Sequence, residues 1–238
     1  MLLTKICRRY LCYAHGLNED ISNNLFTRNV ARDYEKVFVI GMGKTGTTTV
    51  ERILTDMGFK MGNQAAGEML IKDYGNREYN TIIKYFHSAE AFQDCPSCLP
   101  ELYKIIDKEF PNSKFILTIR DSADSWYDSL VRFHTKIFSS SADYPSEKDL
   151  RNATYRYKSW ALEAMKVCCN YPQTPLYEPV HYKSIYDKHI NDVQDYFSQR
   201  SDLLTLNLKH EDALSRLCNF LGFIHPVNYE VPHLNRTK

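Results

Sequence analysis

Val37-Phe-Val-Ile-Gly-Met-Gly-Lys-Thr-Gly-Thr-Thr-Thr-Val50 is the stretch that decides the fold of this chain. The four apolar residues at 37–40 predict a short buried strand. Glycines at three of the next six positions predict a loop, and the apolar spacing over 47–57 predicts a helix. Backbone N–H groups and the positive end of the helix dipole would both face this loop, so it predicts an anion site. The residues expected to hold the anion are Gly43, Lys44, Thr45, Gly46, Thr47, Thr48 and Thr49.

The spacing of the glycines and the lysine tests two familiar phosphate loops. A Walker A loop places its lysine directly after the last glycine, whereas here Thr47 follows Gly46 and Lys44 precedes it. The G-x-G-x-x-G pattern of dinucleotide-binding proteins does occur at 41–46, but it needs an acidic residue about 20 positions on to hold a ribose. The segment 59–66 contains no acidic residue. The spacing therefore argues against a P-loop kinase and weakens, without removing, an interpretation as an NAD(P)- or FAD-binding protein.

Composition limits the classes of partner. Lys and Arg number 30 and Asp and Glu 29, which gives a net charge of +1, so no strong field favours nucleic acid or an anionic membrane surface. No apolar run reaches the roughly 20 residues of a transmembrane segment. The seven cysteines follow no disulfide spacing, which favours a reducing compartment, and no residue cluster indicates a metal. We therefore predict a cytoplasmic protein without a metal or nucleic-acid partner, and nothing in the sequence indicates a homodimer.

Predicted strands alternate with predicted helices along the chain. The strands are predicted at 37–40, 90–94, 114–119 and 203–207, with a short one near 59–61. The helices are predicted at 47–57, 65–73, 77–86, 100–109, 122–138, 146–169, 183–198 and 212–221. This alternation predicts an α/β fold, with a helical lead-in over 1–35 followed by one three-layer α/β/α domain over 36–238 that has a mainly parallel sheet.

Charged residues follow two of the predicted strands. Arg120 comes directly after the strand 114–119, and Asp94 ends the strand 90–94. In open α/β sheets, ligands bind outside the carboxyl ends of the strands, where both residues would lie near the glycine loop. A planar guanidinium that is always charged is suited to a second phosphate, and an ion pair with Asp121 is the alternative for Arg120.

Two motifs resemble those of the sulfotransferases that use 3′-phosphoadenosine 5′-phosphosulfate (PAPS). The order Lys44-Thr-Gly-Thr-Thr48 after a hydrophobic strand is similar to their 5′-phosphosulfate loop. The run Lys114-Phe-Ile-Leu-Thr-Ile-Arg-Asp-Ser-Ala-Asp-Ser-Trp-Tyr-Asp-Ser129 is similar to their 3′-phosphate element. The resemblance spans about 36–238. It implies that PAPS is the sulfuryl donor, that Lys44 acts on the oxygen bridging phosphate and sulfur, and that the Gly-Thr-Thr segment holds the 5′-phosphate.

The same resemblance implies which residues hold the 3′-phosphate. Arg120 would do so together with a serine of the following helix. The family commonly places this serine eight residues after the arginine, where this chain has an aspartate. Alignment on Trp126-Tyr127 assigns the role to Ser129, with Ser125 as the alternative. Arg236 is the candidate from a late basic loop that also touches the 3′-phosphate in relatives.

A sulfotransferase must also remove a proton from its acceptor, so a base is expected near the loop. Asp94 is the first candidate because it stands where cytosolic relatives carry a histidine. Glu68, which matches a glutamate of carbohydrate sulfotransferases, is the second, and His87 is the third. We predict in-line transfer of a sulfuryl group to a hydroxyl or amine of a small-molecule or glycan acceptor, with Lys44 neutralising the leaving oxygen. A nucleotide kinase, or a nucleotide-binding protein that has lost its activity, is the alternative.

Overall fold

Four short parallel strands form the centre of the fold. The structure, a computed structural model, describes residues 26–141 and 143–232. β1 (Val37–Val39), β2 (Ala91–Gln93), β3 (Lys114–Thr118) and β4 (Leu203–Leu206) lie in the order β2-β1-β3-β4, and all of them pair in parallel. Each strand lies within one predicted from the sequence, so the predicted parallel sheet is confirmed. The short strand predicted near 59–61 is only an isolated bridge at Met61.

Helices fill the connections between the strands. Along the chain they are α1 (Thr47–Asp56), α2 (Gln64–Met69), α3 (Ile71–Gly75), α4 (Tyr79–Phe86), α5 (Leu102–Glu109), α6 (Ala123–Phe138), α7 (Glu147–Asn152), α8 (Trp160–Cys169), α9 (Pro179–Tyr196) and α10 (Ala213–Leu221). Within residues 26–141 and 143–232, none of these helices combines the length and the apolar character that a membrane crossing requires.

Residues of β1 alternate between two hydrophobic cores, one on each face of the sheet. Phe38 lies in the first core, where its ring centre is 5.6 Å from that of Phe92 and 5.8 Å from that of Phe115. Val37 and Val39 lie in the second core, which α1 and α10 cover. The first core is covered by α4, α5, α6, α8 and α9. Because successive strand residues face opposite sides, β1 is apolar throughout. The predicted three-layer α/β/α arrangement is confirmed.

Two predicted long helices differ from the structure. The predicted helix 146–169 is two helices, α7 and α8, because the chain between them turns at an isolated bridge that involves Thr154. The predicted helix 183–198 begins earlier, as α9. It does so because the Glu178 carboxylate accepts hydrogen bonds from the first turn and Pro179 has the fixed φ that suits a first helical position.

The segment before β1 packs on the second core. Residues 1–25 lie outside the described residues, and with them most of the predicted helical lead-in. Residues 26–35 contain no helix. Phe26 is buried in the second core, and Arg28 forms a bridge with Phe223, with its guanidinium 4.2 Å from the centre of that ring. The boundary at 35/36 between lead-in and domain stays a prediction.

The order of the strands creates a crevice between β1 and β3. The chain leaves β1 for β2 on one side, and it leaves β3 for β4 on the other side. Connections that diverge in this way open a crevice outside the carboxyl ends of the two strands. The glycine loop follows β1 and Arg120 follows β3, so the fold brings both sequence motifs to the same crevice.

The glycine loop begins against β3. A Cβ atom added at Gly41 would lie 2.0 Å from the hydroxyl oxygen of Thr118 and 2.4 Å from its carbonyl oxygen. Atoms cannot approach so closely, so the loop or the strand would have to move. Gly43 is different, because a Cβ added there would meet its nearest atoms, in Asp94, at an ordinary 3.6 Å.

We expect Gly41→Ala to lower the free energy of unfolding by about 3 kcal/mol, because overpacking against backbone atoms displaces a central strand. Equilibrium denaturation in urea measures the change. Gly43→Ala, in the same loop, is the matched control and should alter stability by less than about 1 kcal/mol. Equal stabilities of the two variants would contradict the close packing of the loop on β3.

Candidate active site

The glycine loop ends in a tight turn at the start of α1. Gly46 has φ 99°, in the left-handed region, and a Cβ added there would lie 2.5 Å from Cδ1 of Leu208. Glycine is therefore required at this position for both conformation and space. The first helical bond runs from the N–H of Thr49 to the carbonyl of Gly46. N–H groups at the beginning of a helix have no intrahelical acceptor, so the loop delivers donors and the positive dipole end to the crevice.

The threonines of the loop divide into two groups. The Thr45 hydroxyl donates to the carbonyl of Met42 at 2.6 Å and shares a hydrogen bond with the Thr118 hydroxyl at 2.6 Å. The Thr49 hydroxyl donates to the carbonyl of Pro232 at 3.2 Å. These two side chains, both expected to hold an anion, are engaged within the protein. Thr47 and Thr48 stand at the first positions of α1.

Lys44 is a partly buried cation. Its φ is 75°, and its ammonium nitrogen lies 3.6 Å from the centre of the Phe133 ring on α6. The pKa of Lys44 is lowered to about 8, mainly by burial; the charge of Asp94 opposes the shift and the charge of Arg120 adds to it. A cation that water solvates poorly interacts more strongly with an anion than an exposed lysine does.

Arg120 connects the end of β3 to both the glycine loop and α6. Its guanidinium donates through Nε to the carbonyl of Lys44 and through Nη2 to the hydroxyl of Ser129 at 3.0 Å. Its backbone N–H donates to the Tyr186 hydroxyl at 2.8 Å. The ion pair with Asp121 that the sequence left open does not form, because the Asp121 carboxylate accepts instead from other residues, including Lys209.

The two candidate serines have different surroundings. Ser129 is buried and contacts the guanidinium of Arg120. Ser125 lies in the first turn of α6, where it forms a capping box with Ser122, and its hydroxyl donates to the Ser122 carbonyl at 2.9 Å. The structure therefore brings Ser129, and not Ser125, together with Arg120.

Trp126 of α6 also binds the loop. Its indole N–H donates to the carbonyl of Gly43 at 3.0 Å, and its ring stacks on Tyr186 at a centroid distance of 4.8 Å. The sequence offered Trp126 only as an alignment anchor. Its contact shows a supporting role that the spacing alone did not reveal.

Asp94 lies against the glycine loop at the end of β2. Its Oδ1 accepts from the backbone N–H of Cys95 at 2.9 Å and from the thiol of Cys98 at 3.5 Å, and its Oδ2 accepts from the Thr47 hydroxyl at 3.3 Å. Burial raises the pKa of Asp94, whereas these donors and the charge of Lys44 lower it. The structure thus brings the first base candidate to the loop lysine.

The second candidate, Glu68, is already paired. It is buried on α2, where Arg156 donates to Oε2 and Gln64 donates to Oε1 at 3.2 Å. Burial raises the pKa of Glu68, and the charge of Arg156 lowers it. The Arg156 guanidinium therefore already occupies one oxygen of Glu68, which leaves that oxygen less able to accept a proton.

The third candidate, His87, is not brought to the site. It is exposed at the end of α4, immediately before β2, with its ring 4.9 Å from that of Phe110. His87 precedes β2 and Phe110 precedes β3, so both lie at the edge of the sheet where the strands begin. The glycine loop lies at the opposite edge, where the strands end. Arg236 lies outside the described residues, and its predicted role stays a prediction.

Glu51 is a site residue that the sequence did not single out. Gln93 donates through Nε2 to Glu51 Oε2 at 3.3 Å and to Gln64 Oε1 at 3.2 Å, which links α1 to the surroundings of Glu68. Burial and the charges of Asp94 and Glu68 raise the pKa of Glu51 to about 7. Its spacing of four residues from Thr47, on the same helical face, was the available signal.

In the part of the chain that the structure describes, no group of three or more His, Cys, Asp or Glu side chains is arranged to hold a metal ion.

Comparison with known proteins gives the family. A family model described as the sulfotransferase domain matches residues 36–238, which include β1, the glycine loop, Arg120 and every strand of the sheet. A comparison with curated proteins found no significant match. Because the family model covers most of the chain, this protein belongs to the sulfotransferase domain family.

Proposed function

We propose that this protein transfers a sulfuryl group from PAPS to a hydroxyl or amine of a small-molecule or glycan acceptor. The observation that carries the proposal is the contact of Arg120 with the carbonyl of Lys44, which sets two cationic anion sites side by side. A nucleotide with phosphates on both its 5′ and 3′ positions needs such a pair. The family match supports sulfuryl transfer in general and does not favour a nucleotide kinase or a dinucleotide-binding protein.

The residues present fit PAPS. The glycine loop and the start of α1 offer backbone donors and a dipole for the 5′-phosphosulfate, and Arg120 with Ser129 would hold the 3′-phosphate. Among the described residues, Arg120 forms no ion pair with a carboxylate, and its observed partners Ser129 and the Lys44 carbonyl are neutral. A half-buried guanidinium without a counterion favours an anionic ligand.

Three groups of this chain would share the chemistry. Bound PAPS supplies a sulfur atom that forms a bond to the acceptor oxygen while its bond to the 5′-phosphate oxygen breaks. Lys44 would neutralise the charge that develops on that leaving oxygen, and its partial burial strengthens this effect. Asp94 would accept the proton of the acceptor, because it lies at the loop and lacks the guanidinium partner that Glu68 has. The helix start would keep the phosphate in place.

Calorimetric titration with 3′-phosphoadenosine 5′-phosphate (PAP), ATP and NAD tests the ligand class. We expect PAP to bind at least about tenfold more tightly than ATP or NAD, because only PAP places a phosphate at both anion sites. A screen of acceptors with labelled PAPS then tests transfer. Tight binding of ATP alone would overturn the proposal, and PAP binding without transfer to any acceptor would point to an inactive nucleotide-binding protein.

The pH dependence tests Lys44. Its protonated form is the active one and its pKa is about 8, so kcat/KM for PAPS should fall as the pH rises through about 8. Lys44→Ala should reduce kcat by about 10²–10³ because the charge on the leaving oxygen is no longer neutralised. Lys44→Arg is the matched control: its guanidinium stays charged, so the loss of activity above pH 8 should disappear even if the rate is lower. An unchanged alkaline profile in Lys44→Arg would exclude Lys44 as the titrating group.

Two serine variants test the 3′-phosphate site. Ser129→Ala should weaken PAP binding about tenfold because a hydrogen bond to a charged group is lost, and Ser125→Ala should leave it within about twofold. Arg120→Ala should reduce the preference for PAP over adenosine 5′-phosphate, since it removes the contact that only PAP makes. Calorimetry with both nucleotides gives the ratios. A larger effect of Ser125→Ala than of Ser129→Ala would reverse the assignment.

A further inference from the structure

The residues that follow Asp94 form a turn that closes back on it. The backbone N–H of Cys98 donates to the Asp94 carbonyl at 2.9 Å, and the Ser97 hydroxyl donates to the same oxygen at 2.8 Å. The carboxylate is held from the same turn, because its Oδ1 accepts from the Cys95 N–H and from the Cys98 thiol. The turn therefore fixes both the backbone and one carboxylate oxygen of Asp94, whose φ is 55°.

The Cys98 side chain is a donor and not an acceptor in this contact. Burial and the neighbouring carboxylate of Asp94 raise the pKa of the Cys98 thiol well above its usual value, so it keeps its proton at neutral pH. The thiol is a free one, and its S–H has Asp94 Oδ1 as its acceptor at 3.5 Å. Cys98 belongs to the sequence motif Cys95-Pro-Ser-Cys98. The structure places this motif around the candidate base.

The two carboxylate oxygens of Asp94 are unequally satisfied. Oδ1 accepts two hydrogen bonds from its own turn, whereas among the described residues Oδ2 accepts one, at 3.3 Å, from the Thr47 hydroxyl at the start of α1. A carboxylate oxygen has two lone pairs, so Oδ2 keeps capacity for a further proton. Through Thr47, Oδ2 is also the carboxylate oxygen that contacts the start of α1, where the glycine loop ends.

We propose that Cys98 is a positioning residue, whose thiol holds Oδ1 of Asp94 so that Oδ2, facing the glycine loop, takes the proton of the acceptor. The proposal rests on the proposed sulfuryl transfer for its functional meaning. In that step the acceptor O–H proton passes to Oδ2, and the electron pair it leaves forms the new bond to sulfur. The 5′-phosphate oxygen keeps the pair of the bond that breaks, and Asp94 ends the step neutral.

The donors also set the acidity of the base. Burial raises the pKa of Asp94, and the Cys98 thiol is the largest of the groups that lower it. The titratable groups that lie near Asp94 are Lys44 of the loop, Glu51 of α1, Glu68 of α2, Cys95 and Cys98 of the turn, and Cys168 of α8, whose thiol burial keeps neutral. Loss of the thiol leaves the other groups in place, so the carboxyl should gain its proton at a higher pH.

Three variants test this role. In Cys98→Ala the midpoint for protonation of Asp94 should rise by about half to one pH unit, a three- to tenfold change in proton affinity, because a weak donor to a charged group is removed. Cys98→Ser keeps a donor and should return the midpoint toward the wild-type value. Cys168→Ala is the packing control, because it removes a second neighbouring thiol, which burial keeps protonated, without removing a hydrogen bond of Asp94; it should leave the midpoint unchanged.

Two measurements separate this inference from the proposed function. Carbon-13 NMR of aspartate carboxyls in the ligand-free protein, with Asp94→Asn to assign the signal, follows the midpoint without any turnover. The pH profile of kcat/KM for labelled PAPS follows the base during transfer, and the loss of activity at low pH should move upward in Cys98→Ala by the same amount. An unshifted NMR midpoint in Cys98→Ala would overturn the inference. So would a Cys98→Ser midpoint equal to that of Cys98→Ala, or a rate profile that does not follow the NMR shift. An absence of transfer in the wild-type protein would instead overturn the proposed function.

Discussion

Three consecutive carbonyl oxygens of the glycine loop are each bound by a donor of the protein. The pairs are Met42 with the Thr45 hydroxyl, Gly43 with the indole of Trp126, and Lys44 with the guanidinium of Arg120. A loop can hold an anion through its N–H groups only when its carbonyl oxygens, which repel anions, are occupied elsewhere. The proposed anion site therefore depends on α6 and on the end of β3 as much as on the glycines. Without these donors, the same glycine loop would present a mixture of donors and acceptors to the crevice.

The same contacts place two cations close together. The charge of Arg120 lowers the pKa of Lys44, and the Asp94 carboxylate raises it by more. Since the partners of the Arg120 guanidinium are neutral, its charge is hydrogen-bonded without being neutralised. An anion that reaches both groups is attracted to two cations, one of which, Arg120, has no carboxylate partner among the described residues. A ligand with a single phosphate would gain less from this pair.

How much of this site the sequence could predict depends on how far apart in the chain the interacting residues are. The loop and the helix after it follow from local spacing, and the meeting of Arg120 with the loop follows from the shared edge of parallel strands. Helical spacing could not choose between Ser125 and Ser129, because residues four apart lie on the same helical face; only the resemblance ranked Ser129 first, and in the structure the capping box engages Ser125. For Glu51 the sequence offers only its spacing from Thr47, which is a weak signal because a charged residue on a helix is usually exposed. Its partial burial depends on β2 and α2, which are far away in the chain.

The two sides of the crevice differ in how they are built. The groups proposed to hold the donor come from residues at the ends of β1 and β3, from the first turn of α1 and from the second turn of α6, where strand pairing and helix starts fix their positions. Glu68 and its partner Arg156 come from α2 and from the irregular segment between α7 and α8, which no strand constrains. The sheet therefore fixes Lys44 and Arg120, whereas the Glu68–Arg156 pair depends on a helix and a loop. The Gln93 amide joins the two sides, because it donates both to Glu51 of α1 and to Gln64 of α2.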